Sequence, residues 1–284
     1  MRAACDDVRS RFVTSYDCLT FLTDYGLEDG FVAACHGVAA RIAPAVRLID
    51  ITHLVQPGDV RRGAAVLAQT IRYLPPAVHC VVVDPGVGTA RRAVAVEAGD
   101  AILVGPDNGV LSWAIDAQGG AARAVQLTNG ELWLHPVSST FHGRDIFMPV
   151  AAHLATGTPL EEAGNELDPA DLTTLPAPTS RVQGDTAEGE VMSVDRFGNV
   201  QLSIPAADIS RLGVGFGSPV VVRCGRRQLT VPYLETFAAV APGELVAFTD
   251  SAGLISLAVN AGDAAQQLGL PPGAHVRLSA AAQP

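Results

Sequence analysis

A carboxylate, two glycines and two arginines stand within nine residues at Asp84 to Arg92, Asp-Pro-Gly-Val-Gly-Thr-Ala-Arg-Arg, directly after the apolar run Val78 to Val83. A β-branched run ending in an acid, a proline and glycines predicts a buried strand that opens into a sharply turning loop. Pro85 fixes one backbone angle, and Gly86 and Gly88 permit conformations closed to other residues, so backbone amides can come close to a ligand. Asp84 then lies at the C-terminal end of a strand, where open α/β sheets bind their ligands. Taken alone, it could equally cap amides of its own turn. Arg91 is spaced to fold back and pair with Asp84, or to stand as a surface arginine beside Arg92.

A second dense stretch is Ser139 to Phe147, where Thr140, His142, Arg144 and Asp145 fall within six positions in a chain of only 17% charged residues. His142 suits a proton acceptor, since an unperturbed imidazole titrates near neutrality. Arg144 and Asp145 read either as part of a site or as an ordinary surface ion pair. If Asp84, Arg91 and His142 converge, they make a charged cluster with no metal-type spacing and no nucleophilic serine or cysteine. Such a cluster orients and polarises water. Arginine cannot serve as an ordinary base, so its part would be to stabilise developing hydroxide. His142, or Asp84 through it, is the better acceptor.

Other positions offer recognition. Asp24, at the end of the apolar run Cys18 to Leu22, could accept paired hydrogen bonds from vicinal ribose hydroxyls or cap the next helix. Asn108 offers a donor and an acceptor to a polar ligand. Asp195-Arg196-Phe197-Gly198-Asn199 pairs an aromatic face with an acid and an amide, suited to an adenine or an amino-acid group, or forms a hairpin turn. His36, His79 and His153 read as satisfied core residues. No Walker or Rossmann phosphate loop is present, because Gly86-Val87-Gly88 precedes a strand rather than a helix.

The positioning elements follow from periodicity. Cys18 to Leu22, Val46 to Ile49 and Val78 to Val83 alternate with helices through Phe31 to Ile42 and from an Asp59 cap through Ile71, the order of a parallel α/β layer. Three loops then gather at one sheet edge, carrying Asp24, the stretch Asp50 to Gly58, and Asp84. Ala93 to Val96 and Ala101 to Val104 predict a hairpin, Ala124 to Leu127 a further strand, and Val150 to Ala155 a helix. Beyond a Pro- and Thr-rich stretch, short apolar runs between glycine turns predict a small barrel. The expected organisation is a loose extension at 1–17, an α/β layered, Rossmann-like domain at 18–175, a linker at 176–188 and an all-β barrel domain at 189–284.

Composition narrows the class. The 284 residues include 19 basic and 29 acidic side chains, a formal charge of −10, which argues against nucleic acid as the main partner. No apolar stretch is long enough to cross a bilayer, and no signal-type leader opens the chain, so no membrane role and a cytoplasmic location are expected. The five cysteines are odd in number and lack metal spacing, as reduced thiols do.

Together Phe21 to Gly26, Asp50-Ile51-Thr52-His53, Asp84 to Arg92, Pro106-Asp107-Asn108-Gly109, Ser139 to Phe147 and Asp195 to Asn199 resemble the S-adenosyl-L-methionine hydroxide adenosyltransferases, relatives of the fluorinating and chlorinating enzymes that use the same substrate. The resemblance runs from about Leu19 to Leu278. It implies hydrolysis of S-adenosyl-L-methionine to adenosine and L-methionine by water attacking ribose C5′, in a homotrimer with active sites at subunit interfaces, without cofactor or metal. It places the water-activating triad on Asp84, Arg91 and His142 and the ribose contact on Asp24. Gly58, Asn108 and Gly143 fall among the substrate-binding positions, with Thr140 and Phe141 lining the C5′ centre and Asp195 and Asn199 at the methionine portion. Phe197, Phe237 and Phe248 match aromatic positions near the ligand, and Ser251 and Ala261 meet the adenine and amino-acid end. Ala252 departs from the arginine of the halogenating relatives. A carboxylate at Asp84 would repel a desolvated halide, which favours hydrolysis. A halide-using adenosyl transferase and a non-catalytic sensor of S-adenosyl-L-methionine or adenosine are the alternatives.

Overall fold

A computed structural model of the chain describes residues 15–281. Of the expected extension at 1–17, residues 1–14 lie outside the described residues. The chain divides into two compact units that meet in sequence at Leu175 and Pro176.

In the first unit β1 (Cys18–Thr23), α1 (Phe31–Ile42), β2 (Arg47–Thr52), α2 (Val60–Thr70) and β3 (Val78–Val82) alternate as the periodicity predicts. Asp59 caps α2, its carboxylate accepting from the Arg62 amide at 2.9 Å. The hairpin β4 (Ala93–Ala98) and β5 (Ala101–Pro106) follows, then the short α3 (Ser112–Ala117), β6 (Arg123–Leu127), α4 (Met148–Ala155) and β7 (Gly164–Leu167). One seven-stranded sheet takes the order β2-β1-β3-β5-β4-β6-β7. Strands β2, β1, β3 and β5 are parallel, and β4, β6 and β7 extend the sheet antiparallel. Every residue of β1 and β3 is buried, as expected of central parallel strands covered on both faces. One face packs against α1 and α4 through Phe21, Cys35 and Phe147, the other against α2 and α3 through Leu22, Leu67 and Ala114.

The chain leaves β1 toward β2 on one side and leaves β3 toward β5 on the other, although β1 and β3 are neighbours. That reversal opens a crevice beyond their C-terminal ends, where ligands of doubly wound sheets bind. Asp24 and Asp84 emerge there.

The second unit is built on β8 (Ser180–Gln183), β9 (Thr186–Val194), β10 (Val200–Pro205), α5 (Ala206–Arg211), β11 (Pro219–Cys224), β12 (Arg227–Pro232), β13 (Leu245–Thr249), β14 (Leu254–Val259), α6 (Ala264–Leu268) and β15 (His275–Ala280). Its antiparallel sheet runs β12-β11-β15-β9-β10-β14-β13, and a bridge from Tyr233 to Ala247 brings its two edges together into a nearly closed barrel. Residues 176–188, read from composition as a linker, carry β8 and the first residues of β9. Among the described residues no helix is long and apolar enough to cross a membrane, and Cys18, Cys35, Cys80 and Cys224 are buried and free of disulfides.

Candidate active site

The loop after β3 turns back on itself and brings Arg91 onto Asp84. The Arg91 Nε lies 3.0 Å from each carboxylate oxygen, and Nη2 is 2.5 Å from Oδ2. Both side chains are largely sealed from solvent, at 11% and 6% exposure, so the pair strengthens itself electrostatically beyond what a surface pair could. Asp84 therefore binds a guanidinium, and the capping alternative for its side chain falls away. The same Nη2 reaches His142 Nδ1 at 2.9 Å, and the guanidinium carbon stands 5.0 Å from the centre of the buried Phe147 ring.

This order has a chemical consequence. Arginine has only donors, so His142 Nδ1 must accept and carry no proton, and a neutral ring bears its hydrogen on Nε2. Burial first, and then the Arg91 charge, hold the His142 pKa below its ordinary value, against a smaller pull from Asp84. Asp84 reaches His142 only through Arg91. Arg91 folds back onto Asp84, as its spacing allowed, and is the middle member of the chain, so of the two acceptor readings the one that routes Asp84 directly through His142 has no contact behind it.

Local structure explains why three distant segments meet. Gly88 has φ +77°, and a Cβ there would lie 2.5 Å from the Ser139 carbonyl oxygen, so only glycine lets the Asp84 loop lie against the His142 segment. Gly143 to Phe147 forms a π-helical turn running directly into α4, an irregularity common at functional sites. Arg144 and Asp145 anchor it. Asp145 is fully buried, receives Arg144 at 2.6 and 3.0 Å and accepts from the Ser138 amide at 2.8 Å, so this pair is a structural brace and not a surface ion pair.

Asp24 sits at the end of β1 and accepts from the Gly58 amide at 2.8 Å. Burial pushes its carboxyl above the usual range, with the Gly58 bond opposing and the Asp84 charge adding to the rise. Phe141 packs edge-on to Tyr25 and Phe31, with ring centres 5.7 and 5.3 Å away. Thr140 is exposed, its hydroxyl 3.3 Å from that of Ser138. Asn108 spends its amide internally, donating to the Val83 carbonyl at 2.8 Å and accepting from the Val110 amide at 3.1 Å, so it shapes the β5 loop.

In the second unit Asp195 accepts from the amides of Phe197 and Asn199 and from Asn199 Nδ2 at 2.8–2.9 Å, forming the turn between β9 and β10. Phe197 projects from it, 72% exposed. Phe237 and Phe248 meet edge-on at 6.3 Å. Ser251 lies in the β13–β14 turn, and Ala261, at φ 55°, precedes α6. Of the histidines read as core, His79 is buried and bonded to Thr20, whereas His36 is a third exposed and paired with Asp50. Tyr25 was missed in the residue reading. Its hydroxyl occupies the space that a Cβ on Gly143 would need, 1.9 Å away, and the only signal was its place directly after Asp24.

The switch point of this doubly wound sheet thus carries a carboxylate–guanidinium–imidazole chain, an arrangement chemically able to orient and polarise water. Family models describing the N- and C-terminal domains of the SAM hydroxide adenosyltransferases match residues 19–164 and 189–277, and the chain belongs to that family. It is similar to the (R)-S-adenosyl-L-methionine hydrolase of Salinispora tropica, 55% identical over 262 residues that cover 92% of this chain and 97% of that one. The protein of the same name from Thermus thermophilus is 43% identical over 91% of this chain and 98% of its own. A fluorinase from Actinoplanes is more distant, at 28% over 93% and 97%. Among solved structures, a conserved protein from Thermotoga maritima superposes with a TM-score of 0.86 at 41% identity, covering 92% of this chain and 99% of that one.

Proposed function

We propose that this protein hydrolyses S-adenosyl-L-methionine, in the (R) form for which its relatives are named, to adenosine and L-methionine. The observation that carries the reading is the Asp84–Arg91–His142 chain, two hydrogen-bonded steps long and largely shielded from solvent, at the switch point of the sheet.

Water is held beside the bonded Arg91–His142 pair, within reach of the guanidinium and of His142 Nε2–H, and attacks C5′ in line with the sulfonium. The C5′–O bond forms as the C5′–S bond breaks, the electron pair going to sulfur. Methionine leaves as a neutral thioether, so no acid is needed. Sulfonium and water give a neutral alcohol, a neutral thioether and one proton. The water loses its proton to solvent as the C5′–O bond forms, and the Arg91 charge favours that loss, so a strong base in the resting site is unnecessary. Neutral His142 orients the water, Arg91 stabilises its hydroxide character, and Asp84 fixes Arg91 and balances its charge. Asp24 takes the ribose hydroxyls, Thr140, Phe141 and Gly143 surround C5′, and the Asp195–Asn199 turn takes the methionine portion. The working form is a cytoplasmic homotrimer with sites at subunit interfaces, and the reaction needs no cofactor.

The test is to incubate purified protein with S-adenosyl-L-methionine in ¹⁸O-labelled water, with and without chloride or fluoride, and resolve the products by mass spectrometry. Adenosine labelled at O5′, with equimolar methionine and no halide dependence, is the expected outcome. A 5′-halonucleoside would establish the halogenating alternative, and unchanged substrate with tight adenosine binding the sensor.

A further inference from the structure

A second group of ligating side chains gathers at the β2 end of the same sheet, outside the Asp84 chain. His36 projects from α1, Asp50 stands on β2 and His53 follows it directly. Their spacing of 14 and 3 residues carries no sequence signature, and the fold alone assembles them. His36 Nε2 lies 2.8 Å and His53 Nε2 3.1 Å from the same oxygen, Asp50 Oδ1. All three potential donor atoms fall within 4.8 Å of one another.

His53 supplies the independent sign. Its side chain is 4% exposed, and its ring is fixed by Nδ1, 2.9 Å from the Thr23 hydroxyl. Yet its Nε2, sealed from water, makes no hydrogen bond; the Asp50 oxygen is near but lies outside the direction such a bond requires. A buried ring nitrogen whose one polar neighbour, the Asp50 oxygen at 3.1 Å, is poorly aligned for a hydrogen bond asks for an explanation. The open side of the group is solvent-facing, since the His36 and Asp50 side chains are 35% and 41% exposed. Access and room for water ligands are therefore available.

We propose that His36, Asp50 and His53 form a binding site for a divalent first-row cation of the zinc type, held by two imidazole Nε2 atoms and one carboxylate oxygen, with water completing the shell. The two imidazole-to-carboxylate separations, 2.8 and 3.1 Å, are close to those of neighbouring ligands around one ion at bond lengths of roughly 2.0–2.2 Å. Two imidazoles and a carboxylate suit zinc-like ions better than magnesium or calcium, which prefer all-oxygen shells. With Nδ1–H donating to Thr23, His53 presents its Nε2 lone pair to the ion, the second-shell arrangement usual for ligating histidines. The His53 carbonyl also accepts from the Gly26 amide at 2.7 Å, and Thr23 precedes Asp24. The ion would thus clamp α1 and β2 beneath the loop that carries Asp24. Its role is structural and independent of the hydrolytic reading.

The experiment uses tag-free full-length protein, stripped with chelator and titrated with zinc chloride by calorimetry, with thermal melts in parallel. Expected is about one equivalent bound per chain, a higher melting midpoint with zinc, and affinity lower by roughly a hundredfold or more in His36→Gln and in Asp50→Asn. Both variants change exposed side chains and should fold. Cobalt substitution supplies a second readout, d–d absorption in the parent that is lost in His36→Gln. Zinc bound equally by parent and variants, or no binding by the parent at micromolar zinc, would overturn the site and leave an Asp50 shared by two histidines as an ion pair.

Discussion

Replacing Arg91 by lysine keeps a positive charge beside Asp84 but removes the fork that joins it to His142. In the parent one guanidinium makes three contacts of 2.5–3.0 Å to Asp84 and a fourth of 2.9 Å to His142 Nδ1. A single ammonium cannot span both partners. The Asp84 charge stays paired, so the loss of stability should be limited to a charged hydrogen bond, about 2 kcal/mol. Arg91→Ala, which strands a carboxylate only 6% exposed, should cost about 3–5 kcal/mol. For catalysis the guanidinium acts as the donor that stabilises hydroxide character, and loss of one such donor lowers kcat by about 10²–10³. Adenosine release followed by chromatography over a range of S-adenosyl-L-methionine concentrations separates the terms. Arg91→Lys should lower kcat by about a hundredfold, leave KM within about threefold, and bind adenosine like the parent. A lysine variant retaining kcat within about threefold would refute the claim that the bridge between Asp84 and His142 holds the attacking water.

The pH profile tests the protonation state of His142. Burial and the Arg91 charge lower its pKa, so the neutral, active ring should persist below pH 6.5 and kcat/KM should decline only further into acid; in Arg91→Gln the acid limb should move to higher pH. A Cβ on Gly143 would meet the Tyr25 hydroxyl at 1.9 Å, inside a ring cluster with Phe21, Phe31 and Phe141. Gly143→Ala should therefore destabilise the first unit by about 1–3 kcal/mol in denaturant melts, and Tyr25→Phe in the same chain should recover most of it; no recovery would move the cause away from this contact. His79, buried on β3 with Nδ1 2.8 Å from Thr20 Oγ1, has its pKa pushed down to about 4 by burial. The folded state resists protonating it, so its contribution is fully present above pH 6.5 and is lost as pH falls from there to about 4, on the order of 3 kcal/mol. Stability measured across that window should slope less in His79→Gln than in the parent.

Strand ends were the most legible part of the site, because an apolar run that stops at an acid marks both burial and direction. Asp24 and Asp84 were readable for that reason, and so was the Asp59 cap. Short or exposed elements were not. The edge strand β7 is four residues, Gly-Asn-Glu-Leu, with no buried face to set a period, and α3 has six residues directly after a glycine-bearing loop. The π-helical turn at Gly143 to Phe147 leaves no periodic trace, since its extra residue is accommodated by contacts from Ser138, Leu134 and Tyr25 that are distant from any pattern of spacing. His36 read as core because it lies on a helix with apolar neighbours, but Asp50 draws it to the surface edge of that helix.

The deeper limit concerns bond order within the cluster. Residue types supplied an acid, a guanidinium and an imidazole, and spacing allowed Arg91 to pair with Asp84, but left open whether the imidazole meets the acid or the guanidinium. Which pair actually bonds depends on how far Gly88 lets the Asp84 loop approach Ser139 and on how the π-helical turn orients His142, and neither quantity is written in composition or spacing. Once Arg91 is the middle member, His142 Nδ1 is committed to accepting its N–H. The imidazole then holds water in place with no carboxylate bonded to its Nδ1, and the upward pull of Asp84 on its pKa is outweighed by burial and the Arg91 charge. That suits displacement at a sulfonium, where the leaving group departs neutral and positioning with electrostatic stabilisation can supply most of the acceleration.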